Sequence, residues 1–340
     1  MRLSVLDQSV AVLGRGEDAA IRDTITLAQH CERLGYHRFW VSEHHSLATI
    51  VGTAPEILMA AIAATTARIR IGSAGVMLPH YSALKVAEQF RVLDAIAPGR
   101  IDLGVGRAPG SDLRTALALN PNAVHAAEAF PAQVRDLQVW VAGQSLEGIT
   151  AHPRADAAAA EEAAARVPQL WILGSSDYGA QLAAHLGLPY AFAWFFADGQ
   201  GADLALSLYR ELYRPSPRHP APQATLCVWA LVADSDDEAR HQALSRERWR
   251  VDRQRGVFGA LHAPADVAAR GFTPDEAAVV RAMRSKAFVG SAATVGAQLR
   301  ELAARFALDE LVVNTWATEP AVRRRSYELL AEEFGLRNGS

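Results

Sequence analysis

Only two cysteines occur among the 340 residues, Cys31 and Cys227, far apart and each in an apolar run. A disulfide scaffold is excluded, and a reducing, cytoplasmic setting is expected. No apolar run reaches the about 18 residues that a membrane helix needs, and Asp7 interrupts the first one too early for a signal-peptide core. A soluble protein without a membrane partner is therefore expected. Excess charge of one sign is also missing: 34 Lys plus Arg face 37 Asp plus Glu, a net charge of −3. That balance argues against a nucleic-acid surface. The one basic cluster, Arg323-Arg324-Arg325, sits among Glu328, Glu332 and Glu333 and reads as a solvated helix face.

Familiar chemical signatures are missing too. There is no HExxH zinc helix and no metal-ligand spacing, so no metal site is expected. Gly143-Gln144-Ser145 continues into Leu146-Glu147 and is no nucleophile elbow. Asp7-Gln8-Ser9-Val10 is not a dinucleotide fingerprint, and Gly104, Gly106 and Gly110 have the wrong spacing for a Walker loop.

What the chain does have is a repeated theme, a short β-branched run followed by an Ala/Leu-rich helical pattern. Strands are expected at 3–6, 38–42, 69–77, 101–105, 169–173, 190–195, 225–233 and 311–314. Helical patterns occupy 18–34, 54–66, 84–96, 130–141, 157–166, 176–186, 204–213 and the closing stretch to Gly335. Eight strands of one alternating kind favour an α/β fold, a single (β/α)8 TIM barrel over residues 1–340, rather than an open doubly wound sheet. Insertions are expected after the fourth strand, at 111–168, and after the seventh, where 245–290 is a candidate lid over the barrel mouth.

In such a barrel the chemistry gathers where strands end. Glu43-His44-His45 follows the second strand, Ser73-Ala74-Gly75-Val76-Met77 ends the third, and Gly106-Arg107 ends the fourth. Gly174-Ser175-Ser176 follows the fifth and opens a helix, whose free N–H groups suit a phosphate. Ser and Asp are equally ordinary N-cap residues, so that loop reads either way alone. Arg107 can add a charge-assisted contact to the same phosphate, or sit in a structural ion pair. The small residues at 73–75 allow a flat ring to approach the backbone; a bulge or tight corner explains them equally well. His44 and His45 point to opposite faces if the strand continues, so one faces the mouth as a proton donor and the other packs away. A mononucleotide fits these loops better than ATP or a dinucleotide.

Taken in order, Phe39-Trp40-Val41 before Glu43-His44-His45, then residues 71–79, residues 98–107 with the Arg107-Ala108-Pro109-Gly110 turn, Leu173-Gly174-Ser175-Ser176, residues 187–193 and Asp309-Glu310-Leu311 resemble the luciferase-like flavin monooxygenases. The resemblance implies a barrel that binds FMN at its C-terminal mouth, with reduced FMN as co-substrate. It implies that His44 is the catalytic histidine, supporting the reaction of reduced flavin with oxygen. Glu43, Ser73, Ala74, Gly75, Met77, Arg107, Gly174, Ser175 and Ser176 become cofactor-binding positions, and Ala74-Gly75 the place of a cis peptide beneath the flavin ring. His45, Trp194, Phe195, Phe196 and Trp316 are expected around the substrate, a small and largely apolar molecule; ordinary core packing explains each aromatic equally well. The family further implies a homodimer and a separate flavin reductase. Gly106 stands where the luciferases proper have a reactive cysteine, which speaks against light emission. Two other functions suit the same fold: hydride transfer with a deazaflavin or FMN, and flavin binding without catalysis.

Overall fold

The computed structural model describes residues 1–107, 112–154 and 167–336. Eight parallel strands form a closed ring: β1 (Arg2–Asp7), β2 (Arg38–Val41), β3 (Arg70–Met77), β4 (Ile101–Gly106), β5 (Gln169–Gly174), β6 (Tyr190–Phe192), β7 (Ala224–Val232) and β8 (Glu310–Asn314). Each pairs with its neighbours in sequence, β1 also pairs with β8, and the β6–β7 pairing completes the circle. Their β-branched and aromatic residues suit strands covered on both faces, by the barrel interior and by outer helices. The first helix, Glu17–Leu34, ends because Gly35 takes a left-handed conformation (φ 85°) that costs glycine little.

Side chains alternate between outer packing and the interior, and the interior stacks in layers. The bottom layer is polar. Arg38, 3% exposed, donates to Asp102 at 2.8 Å and Glu310 at 2.9 Å, while Ser4 adds a bond to Glu310 at 2.6 Å. Above it, Leu6, Trp40, Trp171, Ala191, Cys227 and Val312 form an apolar plug. That plug is the floor of the mouth.

Two expectations need correction. Tyr190–Phe192 is the whole of β6, and Trp194–Phe196 is a 3-10 turn instead of more strand. A short apolar run cannot by itself distinguish a strand from a helical turn. Of the basic triplet, Arg323 is not solvated: it is buried and pairs with Asp7 at 2.9 Å. The helical pattern at 157–166 and Ala108-Pro109-Gly110 lie outside the described residues.

The segment between β7 and β8 is largely helical, with Asp236–Gln254, Pro264–Arg270, Pro274–Arg284 and Ala292–Arg305. Ahead of the last helix, Phe288–Gly290 adds a strand to the far end of β7, outside the ring. The segment is tied to loops that follow other strands. Leu261 bridges Val12, Trp249 donates to Thr49 at 2.8 Å, and Arg250 pairs with Asp198 at 2.8 Å. Since those loops leave the C-terminal ends of β1, β2 and β6, the segment lies over the mouth.

Candidate active site

A cavity of about 300 Å³ opens at the C-terminal ends of the strands, with the apolar plug beneath it. Among the described residues its wall takes in Glu43, His44, Ala74, Gly75, Met77, Arg107, Gly174, Ser175, Ser176 and Phe196, which gathers most of the expected positions.

β3 supplies one wall. The Ala74–Gly75 peptide is cis, and the register against β4 shifts between Ser73 and Val76. A methyl group on Gly75 would meet the Leu173 side chain and the Gly104 carbonyl oxygen at 2.7 Å, so only glycine fits this close approach to β4 and β5. Ser73 is not in the wall: its hydroxyl donates to the Gly104 carbonyl at 2.9 Å, beneath it.

The loop after β2 supplies the acid–base group. Glu43, 2% exposed, accepts from the Met77 N–H at 3.0 Å, the Tyr81 hydroxyl at 2.6 Å and His45 Nε2 at 2.7 Å. With three protein donors on its carboxylate, Glu43 is a support for β3 and for the loop. His44 lies beside it, its N–H bonded to the Gly52 carbonyl at 2.9 Å and its Nδ1 3.2 Å from the Ser42 hydroxyl. Burial, helped by His45 and Arg253 and opposed by Glu43, pushes the His44 pKa down to about 4. The imidazole is therefore neutral near pH 7. Nδ1 is held by the Ser42 hydroxyl, and Nε2 has no protein partner among the described residues.

Anion-ready groups lie at β4 and β5. Ser176 caps the helix Asp177–Leu186, yet its hydroxyl makes no capping bond and faces solvent with that of Ser175. Arg107 stacks 3.9 Å from the Tyr178 ring centroid and has no ion pair among the described residues, so the structural ion pair considered for it is absent there. A guanidinium, two hydroxyls and the open N-terminus of a ten-residue helix thus share one end of the cavity.

Three expected substrate contacts lie elsewhere. His45 turns away from the cavity to Glu43 and Tyr81. Trp194 packs on Phe306 and stands in the wall of a second, smaller cavity instead of this one. Trp316 is buried, donating to Gln8 Oε1 at 3.1 Å and packing against Trp249. Sequence reasoning missed Gln8, Tyr81, Tyr178 and Cys227. Gln8 could have been found as the residue just past the end of β1, and Tyr178 as the first-turn neighbour of Ser176.

Known proteins share this fold. The model of the luciferase-like monooxygenase family matches residues 1–309. An N-acetyl-S-alkylcysteine monooxygenase of Bacillus subtilis is 35% identical over 98% of each chain. The crystal structure of apo-MsnO8 superposes with a TM-score of 0.90 at 35% identity, covering 98% of each chain. The oxygenating constituent of 3,6-diketocamphane monooxygenase from Pseudomonas putida, solved in complex with FMN, shares the fold at 18% identity, with a TM-score of 0.71 over 98% of this chain and 97% of that one. With its closed eight-stranded barrel, its mouth-side cavity and this match over most of its length, the chain belongs to the luciferase-like monooxygenase family.

Proposed function

We propose that this protein is an FMN-dependent monooxygenase that takes reduced FMN and O2 as co-substrates and oxygenates a small, largely apolar organic molecule. One observation carries the reading: a single cavity joins Arg107, Ser175 and Ser176 at one end to the backbone wall of Ala74 and Gly75 and a neutral His44 at the other.

The residues fit the cofactor. Arg107, whose charge no carboxylate among the described residues claims, and the helix start at Ser176 would hold the phosphate. The wall of Ala74 and Gly75, with Leu173 and Met77, would bear the flat ring. When bound, reduced FMN supplies the two electrons that make O2 reactive. His44, neutral near pH 7, would hydrogen-bond to the reacting oxygen or accept a proton from it. Ser42 holds the ring at Nδ1, and Glu43 holds the loop. Phe195, Phe196 and Trp40 keep the space apolar and limit water.

The monooxygenase name of the Bacillus relative and the FMN in the Pseudomonas structure support this reading. The words "oxygenating constituent" also support a separate flavin reductase as partner. A homodimer belongs to the same reading, and Ile57, Val92 and Ile96, exposed on two packed helices, offer it an apolar face.

Rapid mixing tests the proposal. The protein is loaded anaerobically with reduced FMN and then exposed to O2. Reoxidation slower than that of free reduced FMN, and faster in His44→Ala than in the unsubstituted protein, is the expected result. Reoxidation indistinguishable from free flavin, or tight binding of a deazaflavin in place of FMN, would contradict it.

A further inference from the structure

A second, smaller cavity of about 30 Å³ adjoins the first, and Phe195 stands in the wall of both. A water-sized group needs roughly 10–15 Å³ by this measure, so the space takes about two such groups. Four cations line it, Arg246, Arg250, Arg284 and Lys286, against two carboxylates, Asp198 and Glu247. Both carboxylates are already engaged. Asp198 accepts from Arg250 at 2.8 and 2.9 Å, and Glu247 from Arg284 at 2.7 and 2.8 Å.

Arg246 is left over. Its guanidinium lies part-buried, 4.1 Å from the Trp229 ring centroid, with no hydrogen bond or ion pair among the described residues. Burial, with Arg250 beside it, disfavours its charge, but a guanidinium stays protonated at neutral pH. Trp229 is only 5% exposed, and its indole N–H is buried without an acceptor among the described residues. Buried donors are normally satisfied, and one left bare costs stability. Two unanswered donors, one of them charged, thus line the same small cavity.

The placement relates this space to the first cavity. Cys227 lies in the wall of the large cavity, and Trp229 follows two residues later on the same face of β7. Two strand residues advance about 7 Å toward the mouth. Trp229 is the last residue of β7 paired to β8; beyond it the strand leaves the ring to pair with Phe288–Gly290.

We infer that the small cavity is a carboxylate-anchoring subsite, and that the substrate is an apolar molecule bearing a carboxylate. Arg246 and the Trp229 indole would each donate to the carboxylate, for which the planar guanidinium fork is well suited. That the anchored molecule is the substrate rests on the monooxygenase reading; the carboxylate grip does not.

Calorimetry with ω-phenylalkanoic acids of two to six methylene groups, each against its uncharged amide, tests the inference. The FMN-loaded and FMN-free protein are both titrated. At one chain length the acid is expected to bind at least about tenfold tighter than its amide. Arg246→Gln should abolish that preference and Trp229→Phe should reduce it, with FMN affinity unchanged in both. Equal affinities at every length, no measurable acid binding, or a preference surviving Arg246→Gln would overturn the subsite. If the FMN-free protein prefers the acid but no flavin binds, the subsite stands and the monooxygenase reading falls. If flavin binds but no acid is preferred, the monooxygenase reading stands and the subsite falls.

Discussion

His45 donates from Nε2 to Glu43 Oε1 at 2.7 Å, which makes the second histidine of the doublet a support for the loop that carries the first. Glu43 also takes the Met77 N–H and the Tyr81 hydroxyl, so its carboxylate joins the end of β2 to the end of β3. Glu43→Ala leaves three donors without an acceptor in a buried place. Losing a hydrogen bond to a charged group costs about 1.5–3 kcal/mol, so a clearly lower denaturation midpoint and weaker flavin binding are expected. Glu43→Gln keeps one acceptor and should fall between. Unchanged urea melts for Glu43→Ala would show that this link does not hold the site together.

Arg107, Ser175 and Ser176 are assigned to a phosphate and not to the ring. Arg107→Ala and Ser176→Ala should each weaken FMN binding by about tenfold, the usual worth of a charge-assisted bond. Riboflavin, which has the ring without the phosphate, should bind both variants as it binds the unsubstituted protein. Fluorescence titration with the two flavins decides, and an equal loss for both would move the phosphate elsewhere.

The His44 pKa, held near 4 chiefly by burial, has a stability consequence of fixed sign. The native state disfavours the protonated ring, while the unfolded chain takes up its proton near the ordinary value of 6.5. Stability is therefore complete above pH 6.5, is lost as the pH falls toward 4, and changes no further from this group below that. His37 and His219, also pushed down to about 4 by burial, contribute in the same window. Urea melts of His44→Gln between pH 7 and 4 should show a shallower loss than the unsubstituted protein; a parallel loss would mean that His44 is not buried in neutral form.

Gly104 faces the inner side of the β3 wall. A methyl group there would run into the Ser73 carbonyl oxygen and approach Leu173 at 3.1 Å. Backbone cannot yield as a side-chain tip can, so Gly104→Ala should push β3 into the cavity. Flavin affinity should fall more steeply than for Gly106→Ala, where nothing lies within 4 Å. Equal affinities in the two variants would show that the β3 surface does not touch the ring.

Much of the barrel was legible because its signals are local. The strands lie within a residue or two of their expected places, except β6, since β-branched runs between helix stops need no tertiary information. The strand-end loops could be read for the same reason: in a parallel barrel every such loop points to one mouth. What escaped depends on distant partners. Nothing near Arg38 announces that it meets Asp102 and Glu310 under the floor, or near Arg323 that it meets Asp7. Trp194 and Trp316 follow strand ends as active-site residues do, yet they serve Phe306 and Gln8. Nothing near Arg246 announces that Asp198 and Glu247 are taken by Arg250 and Arg284 and leave it unmatched.

Direct titration with reduced FMN under anaerobic conditions probes whether the barrel mouth is a flavin site at all. Saturable one-to-one binding is predicted, weakened by Arg107→Ala and by Gly104→Ala, with oxidised FMN competing for the same site. A protein that binds neither redox form of FMN would contradict it.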